Sequence, residues 1–242
     1  MATAQATVSQ APLRTHLSLK GSVALVSDFF LFGIQSILYQ REIYPSDEFR
    51  NVKKFGTQVL TTTDEGLKEY LDAAMGQVKT WLERGQVKRL VVAIVEKETG
   101  ETRERWQFDI DVVGKAEGEE SEETGSVGQD GKAPSKENVD PSADKDGAKS
   151  KKKTDAQVKA EISAIIKQIT ASCTFLPLLE EPCAFTILAY TSLEADMPME
   201  WSESDARLIA AGQAEQVKLR SFSTQVHRVD ALVAYKREDE DE

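Results

Sequence analysis

Residues 154–176 read TDAQVKAEISAIIKQITASCTFL, and the spacing of their isoleucines decides the fold class. Val158, Ile162, Ile165, Ile166 and Ile169 recur three and four apart, which lays one apolar stripe along a helix. Isoleucine is stiff at χ1 and suits a close-packed core better than a solvated helix. The segment is therefore expected to be a central helix lying on a sheet, ended by Pro177. Lys159, Glu161, Lys167 and Gln168 on its other face read as a solvated side that can double as a contact surface.

On the N-terminal side of this helix, residues 114–153 abandon hydrophobic patterning for Gly, Ser, Glu, Asp and Lys, acidic at Glu117–Glu123 and basic at Lys149–Lys153. Such a stretch buries too little apolar area to offset its ordering cost and reads as a disordered insertion within one domain. Before it come two strands, Val87–Glu96 and Thr102–Val112, joined by a Lys97–Glu101 turn. In the second, Trp106, Phe108, Ile110 and Val112 alternate with Arg105, Gln107, Asp109 and Asp111, predicting one buried and one wet face.

Further out, Thr63 is expected to cap a helix with the stripe Leu67, Tyr70, Leu71, Ala74, Val78, Trp81 and Leu82, closed by Gly85 in a left-handed conformation. Thr57–Thr61 reads as a short strand and Ile43–Ser46 as a turn. A first helix after Gly21, capped by Ser22, presents Val26, Phe29, Phe30, Ile34, Ile37 and Leu38 on one wide face. The apolar run Val23–Tyr39, broken by Asp28 and Gln35, is shorter than the ~20 residues a membrane span needs and reads as a buried helix. Beyond Pro177, Ala184–Thr191 is a strand, Asp196–Ala214 is irregular, and Gln216–Thr224 and Val226–Lys236 are strand-like. Altogether this predicts an α+β domain with three helices on one mainly antiparallel sheet.

With 242 residues and 40% hydrophobic content the chain can form one sizeable core, and its net charge of -11 argues against a general nucleic-acid binder. Cys173 and Cys183 are too few for a disulfide framework, so a reducing compartment is expected. Catalytic signatures are missing: the two histidines, His16 and His227, have no partners at catalytic spacing, and Gly125–Lys132 lacks P-loop spacing and the following Ser/Thr. Asp109 and Asp111 share a wet strand face and read as solvated carboxylates, so no metal and no cofactor is expected. Lys149–Lys153 could serve in nuclear import, and Lys136-Glu137-Asn138 spells a KEN degron.

Several blocks resemble one family. They are FFLFGIQSILYQREIYP at 29–45, RWQFDI at 105–110, QIT at 168–170, TFLPLLE at 174–180, LRSF at 219–222 and VAYK at 233–236. In order and over residues 17–236, the insertion apart, they resemble the HORMA-domain spindle-checkpoint adaptors. The resemblance implies a single HORMA domain at 17–236, with a disordered tail at 1–16, a mobile C-terminal safety belt at 195–236 and an acidic tail at 237–242. The belt changes sheet edges between an open and a closed state and traps an extended peptide against Ala184–Thr191. Thr15–Lys20 would hold an edge in the open state.

By the same resemblance the peptide-binding residues are Phe185, Ile187, Leu188, Ala189, Tyr190, Trp201, Val229 and Tyr235. A dimer face between open and closed copies comprises Arg41, Glu104, Lys167, Gln168 and Phe175. The implied partners are closure-motif peptides of mitotic-arrest-deficient protein one and of the anaphase-promoting complex activator, the mitotic checkpoint complex, a second copy, and an AAA+ remodelling ATPase that engages the N-terminal tail. The implied locations are nucleus, nuclear envelope, kinetochore and cytoplasm; no enzymatic activity, nucleic acid or membrane is implied. Lys167 replaces the family's usual arginine and lacks its planar fork, and Ala231 replaces a serine of some relatives. Other HORMA adaptors, of meiotic axes or translesion synthesis, are the alternative. From the residues alone, apolar positions of both parities in Gln216–Lys236 fit either a strand buried on both faces or one committed to neither edge.

Overall fold

The apolar face of the first helix organises the core. In the computed structural model, which describes residues 18–113 and 153–237, helix α1 spans Leu19–Gln40. Its N-cap is Ser18, whose hydroxyl accepts from the Gly21 amide at 3.2 Å, so the helix starts ahead of Gly21 and Ser22 lies inside it, fully buried. Leu19 and Lys20, expected at a sheet edge in the open state alone, are helical here. By length and composition α1 could cross a membrane, but Val26, Phe29, Phe30, Ile34, Ile37 and Leu38 are fully buried within the protein.

Helix α2, Glu65–Glu83, is capped by Asp64 rather than Thr63: the Asp64 carboxylate accepts from the Leu67 amide at 2.5 Å and faces the positive end of the helix dipole. Gly85, at φ +64°, ends it as expected, with Gln86 N–H donating to Trp81 O and Gly85 N–H to Leu82 O, the two bonds of a Schellman motif. Tyr70 leaves the predicted stripe and is 46% exposed; Met75 is buried in the face. Helix α3, Asp155–Ala171, carries a capping box between Thr154 and Gln157 and buries all five residues of its predicted stripe. It ends well before Pro177, because the Ser172 hydroxyl donates to Ile169 O at 2.6 Å and a 3₁₀ turn, Ser172–Thr174, follows. The central helix is α1, which packs on both others; α3 lies at the flank over strand β6.

Strands β1 (Phe49–Lys54) and β2 (Thr57–Thr62) form a separate hairpin turned by Phe55 and Gly56, both at positive φ, as a two-residue type I′ turn requires. The main sheet contains β3 (Val87–Glu96), β4 (Thr102–Val112), β5 (Cys183–Thr191), β6 (Ala214–Ser223) and β7 (His227–Lys236), antiparallel throughout in the order β5-β3-β4-β7-β6. Phe29 and Phe30 of α1 meet Phe108 of β4 at centroid distances of 5.6 and 5.8 Å, and Phe29 meets Phe222 of β6 at 4.9 Å. This cluster fixes the helical layer to both the centre and one edge of the sheet.

The mixed parity of the C-terminal segment has a local cause. A bulge between Lys218 and Ser221 shifts the β6 register, so Leu219 and Phe222, three apart, both point into the core. In β7, Val229, Ala231 and Val233 face the core and Leu232 the other side, where it is half-buried. The expected wet face of β4 is only partly wet: Arg105 and Gln107 are 6% and 8% exposed, whereas Val112, expected inside, is 37% exposed. The tail 1–16, all of the 114–153 insertion but Lys153, its Lys136-Glu137-Asn138 triplet, and residues 238–242 lie outside the described residues.

Candidate functional site

Strand β5 is an edge strand: among the described residues, β3 pairs with one side of it and no strand with the other. An unpaired edge presents a row of amides and carbonyls that another chain can pair with. Here it opens into a cleft of about 930 Å³, walled by Tyr70, Ala73, Ala74, Gln77 and Trp81 of α2, by Thr186–Thr191, and by residues of the 197–206 segment. Burial pushes the Tyr70 hydroxyl above its ordinary pKa, with the Ile187 backbone working the other way, and both residues line the cleft.

The third wall is the connection from β5 to β6. These strands lie at opposite edges of the sheet, so the connection must pass from one rim to the other. Its start is pinned by Ser192 N–H donating to Gln86 O at 2.8 Å and by Trp81 Nε1 donating to Asp196 O at 3.1 Å. An Arg84–Asp196 ion pair at 2.9 Å adds little, because both side chains are exposed. Trp201 then packs edge-on against Trp81, centroids 4.9 Å apart. Farther on, Arg105 Nε donates to Ala206 O at 3.4 Å and Arg207, at φ +50°, reaches Gly100 O at 3.5 Å. Arg237 N–H donates to Gln213 O at 2.8 Å, closing the arch at the far rim. The arch carries Glu200, Glu203 and Asp205, all exposed, along a cleft whose floor is largely aromatic and aliphatic.

Of the peptide-binding residues expected from the sequence, Ile187, Leu188, Ala189, Tyr190 and Trp201 line this cleft. Phe185 sits beside it, edge-on to Tyr44 and Tyr70 at 6.1 and 5.7 Å. Val229 and Tyr235 stand elsewhere, because β3 and β4 lie between β7 and β5: Val229 is fully buried in the core, and the Tyr235 hydroxyl donates to Glu215 at 2.7 Å beside a separate pocket of about 440 Å³. Sequence reasoning missed Tyr70, taken for core, and the three arch carboxylates, whose 200, 203, 205 spacing in an irregular stretch was the available signal; Trp81, read as core, is 1% exposed and also borders the cleft.

The five residues expected at a dimer face divide. Lys167 is exposed and Phe175 is 41% exposed, while Gln168 Oε1 accepts from the Arg220 amide at 2.7 Å. Arg41 and Glu104 are instead an internal ion pair, Nη2 to Oε1 2.6 Å, with side chains 5% and 2% exposed. Arg41 also donates to Pro177 O and Glu104 accepts from Trp106 Nε1 at 3.0 Å, so the pair positions the turn after α3 from beneath. Burial pushes the Glu104 carboxyl above its ordinary pKa, with Arg41 opposing. Asp109, considered for a cation, pairs with Arg89 at 2.5 Å.

The HORMA domain family model matches residues 22–227. The mitotic spindle assembly checkpoint protein MAD2A of Dictyostelium discoideum is 41% identical over 92% of this chain and 95% of its own length. The mitotic spindle checkpoint component mad2 of Schizosaccharomyces pombe is 38% identical over 95% of this chain and 98% of its own. Among solved structures, a chain of the mitotic checkpoint complex superposes with a TM-score of 0.71 at 36% identity, covering 90% of this chain and 99% of that one.

Proposed function

The chain belongs to the HORMA-domain family and, within it, to the MAD2 spindle assembly checkpoint proteins; from that premise we propose that it is a non-enzymatic adaptor that captures extended peptides beneath the arch. The carrying observation is topological: a free β5 edge faces a cleft whose outer wall joins opposite rims of the sheet. A peptide laid along β5 adds a strand, with backbone hydrogen bonds supplying affinity and alternate side chains specificity. Aromatic and aliphatic residues on the floor suit apolar anchors, and Glu200, Glu203 and Asp205 suit neighbouring basic residues.

With the β6–β7 hairpin on β4 and the β5 edge open to the cleft, the arrangement corresponds to the closed state. In the open state residues 195–236 would leave β4 and pair at the other edge of the sheet, on β5, occupying the place of the peptide. The ligands are closure motifs of mitotic-arrest-deficient protein one and of the anaphase-promoting complex activator, and the product is a mitotic checkpoint complex that delays anaphase. Lys167, Gln168 and Phe175 form a surface for a second copy. Action at kinetochores and the nuclear envelope, in nucleus and cytoplasm, and recycling by an AAA+ ATPase acting on the N-terminal tail complete the reading.

Amide hydrogen exchange with and without a basic-hydrophobic peptide from the complex activator tests it. Strong new protection of residues 186–191 and 196–213 is expected. Peptide binding that leaves both segments unchanged refutes capture at this edge.

A further inference from the structure

On the sheet face away from the helices, Arg105 is 6% exposed and, among the described residues, has no carboxylate within ion-pair distance. Its guanidinium is held by neutral acceptors on three segments: Gln107 Oε1 on its own strand, Tyr190 Oη on β5 at 3.0 Å, and Ala206 O on the arch at 3.4 Å. Gln107 Nε2 donates to Asp109 at 2.8 Å, Asp109 pairs with Arg89, and the Arg89 guanidinium lies 5.5 Å from the Tyr190 ring. The ring of contacts closes on Tyr190. Beneath it Val91 and Ala93 are fully buried, although they face away from the helix-side core.

A buried cation is tolerated only when its donors find acceptors. Lowering the arch onto this face therefore costs the desolvation of Arg105 unless the Tyr190 hydroxyl is in place, and Tyr190 belongs to the strand that borders the cleft. We propose that Arg105 is a positioning residue that couples arch closure to the peptide-bearing strand: it reads the placement of Tyr190 and, when that is correct, holds the arch at Ala206. This rests on the peptide-capture reading above. A peptide along β5 steadies Tyr190, and the same guanidinium then retards reopening.

The test uses the full chain with Tyr190→Phe, Arg105→Gln, Arg105→Lys and the Tyr190→Phe/Arg105→Gln double variant. Two readouts are taken: the release rate of a bound basic-hydrophobic activator peptide, and exchange of the Arg207–Ile209 amides without peptide. Losing the one hydrogen bond from the guanidinium to the Tyr190 hydroxyl should speed release about tenfold, and Arg105→Gln, which removes the tether at Ala206 as well, at least as much. Arg105→Lys should fail to rescue because a compact ammonium lacks the planar fork whose Nε, Nη1 and Nη2 reach acceptors on three segments. The double variant should release no faster than the faster single variant, since both remove one linkage. Additive effects, or wild-type release from Tyr190→Phe, overturn the coupling. A wild-type chain that binds no peptide refutes peptide capture instead, and the tether at Ala206 then stands or falls on whether amide exchange at 207–209 quickens in the peptide-free variants.

Discussion

Ser22 Oγ lies 2.7 Å from His227 Nδ1, tying the first turn of α1 to the first residue of β7. The same hydroxyl is 2.7 Å from Thr224 Oγ1, which also accepts from the His227 amide at 2.7 Å. Burial lowers the His227 pKa, so the folded chain holds it neutral. Because the unfolded histidine protonates first, stability is fully present above the unfolded pKa, near 6.5, and is lost as pH falls through the lowered folded pKa. The advantage of wild type over His227→Asn in thermal melts should shrink between pH 7.5 and 5, by at most about 1.4 kcal/mol per pH unit. An unchanged gap would mean that His227 does not titrate on unfolding.

The Arg41–Glu104 pair predicts a large effect from a single truncation. Arg41→Ala leaves a buried carboxylate uncompensated and should cost about 3–5 kcal/mol in urea unfolding at pH 7. Burial raises the Glu104 pKa and Arg41 opposes it, so removing Arg41 raises it further. Stability from such a raised acid is present at low pH and lost as pH rises through the folded value; the deficit of Arg41→Ala should accordingly be smaller at pH 4 than at pH 7.

Trp201 is the aromatic anchor of the arch. Trp201→Ala removes its edge contact with Trp81 and should shorten the residence of a bound peptide about tenfold, with faster amide exchange at 197–206. Residence times equal to wild type would show that the arch closes without this contact.

Phe175 bears on self-association. Because it is 41% exposed, Phe175→Ala should change unfolding free energy by no more than about 0.5 kcal/mol. Sedimentation should nevertheless show dimerisation weakened about tenfold or more if the aromatic ring anchors that interface. Equal sedimentation of variant and wild type would remove Phe175 from it.

The capping box at the start of α3 gives a local check. Thr154→Ala deletes the acceptor for the Gln157 amide and should cost about 1 kcal/mol in chemical denaturation.

The bounds of β3 and β4 were legible because two-residue alternation and a polar turn coincide there, and the α3 stripe was legible because isoleucine spacing leaves one face to bury. Strand β1 was not: Arg50, Lys53 and Lys54 leave only Phe49 and Val52 as an apolar signal, and its partner comes from the following β2. A bulge in β6 mimics mixed commitment, since one extra residue moves Phe222 to the face that Leu219 already occupies. Burial of Arg105 and Gln107 depends on a segment about a hundred positions away in sequence, which alternation within β4 cannot register. Most of the cleft's strand residues followed from the family resemblance, whereas Val229 and Tyr235 required the strand order to be placed.

The route of the arch from β5 to β6 also governs how force is borne. In the proposed capture a partner strand would thread a loop of backbone that the β4–β7 pairing closes, as an axle threads the ring of a rotaxane. Pulling on the axle loads the polypeptide of the ring instead of shearing the added strand away one hydrogen bond at a time. Disassembly then tracks the opening of the ring, so the tightness of the linkage under tension and its affinity at rest become separate properties of one fold.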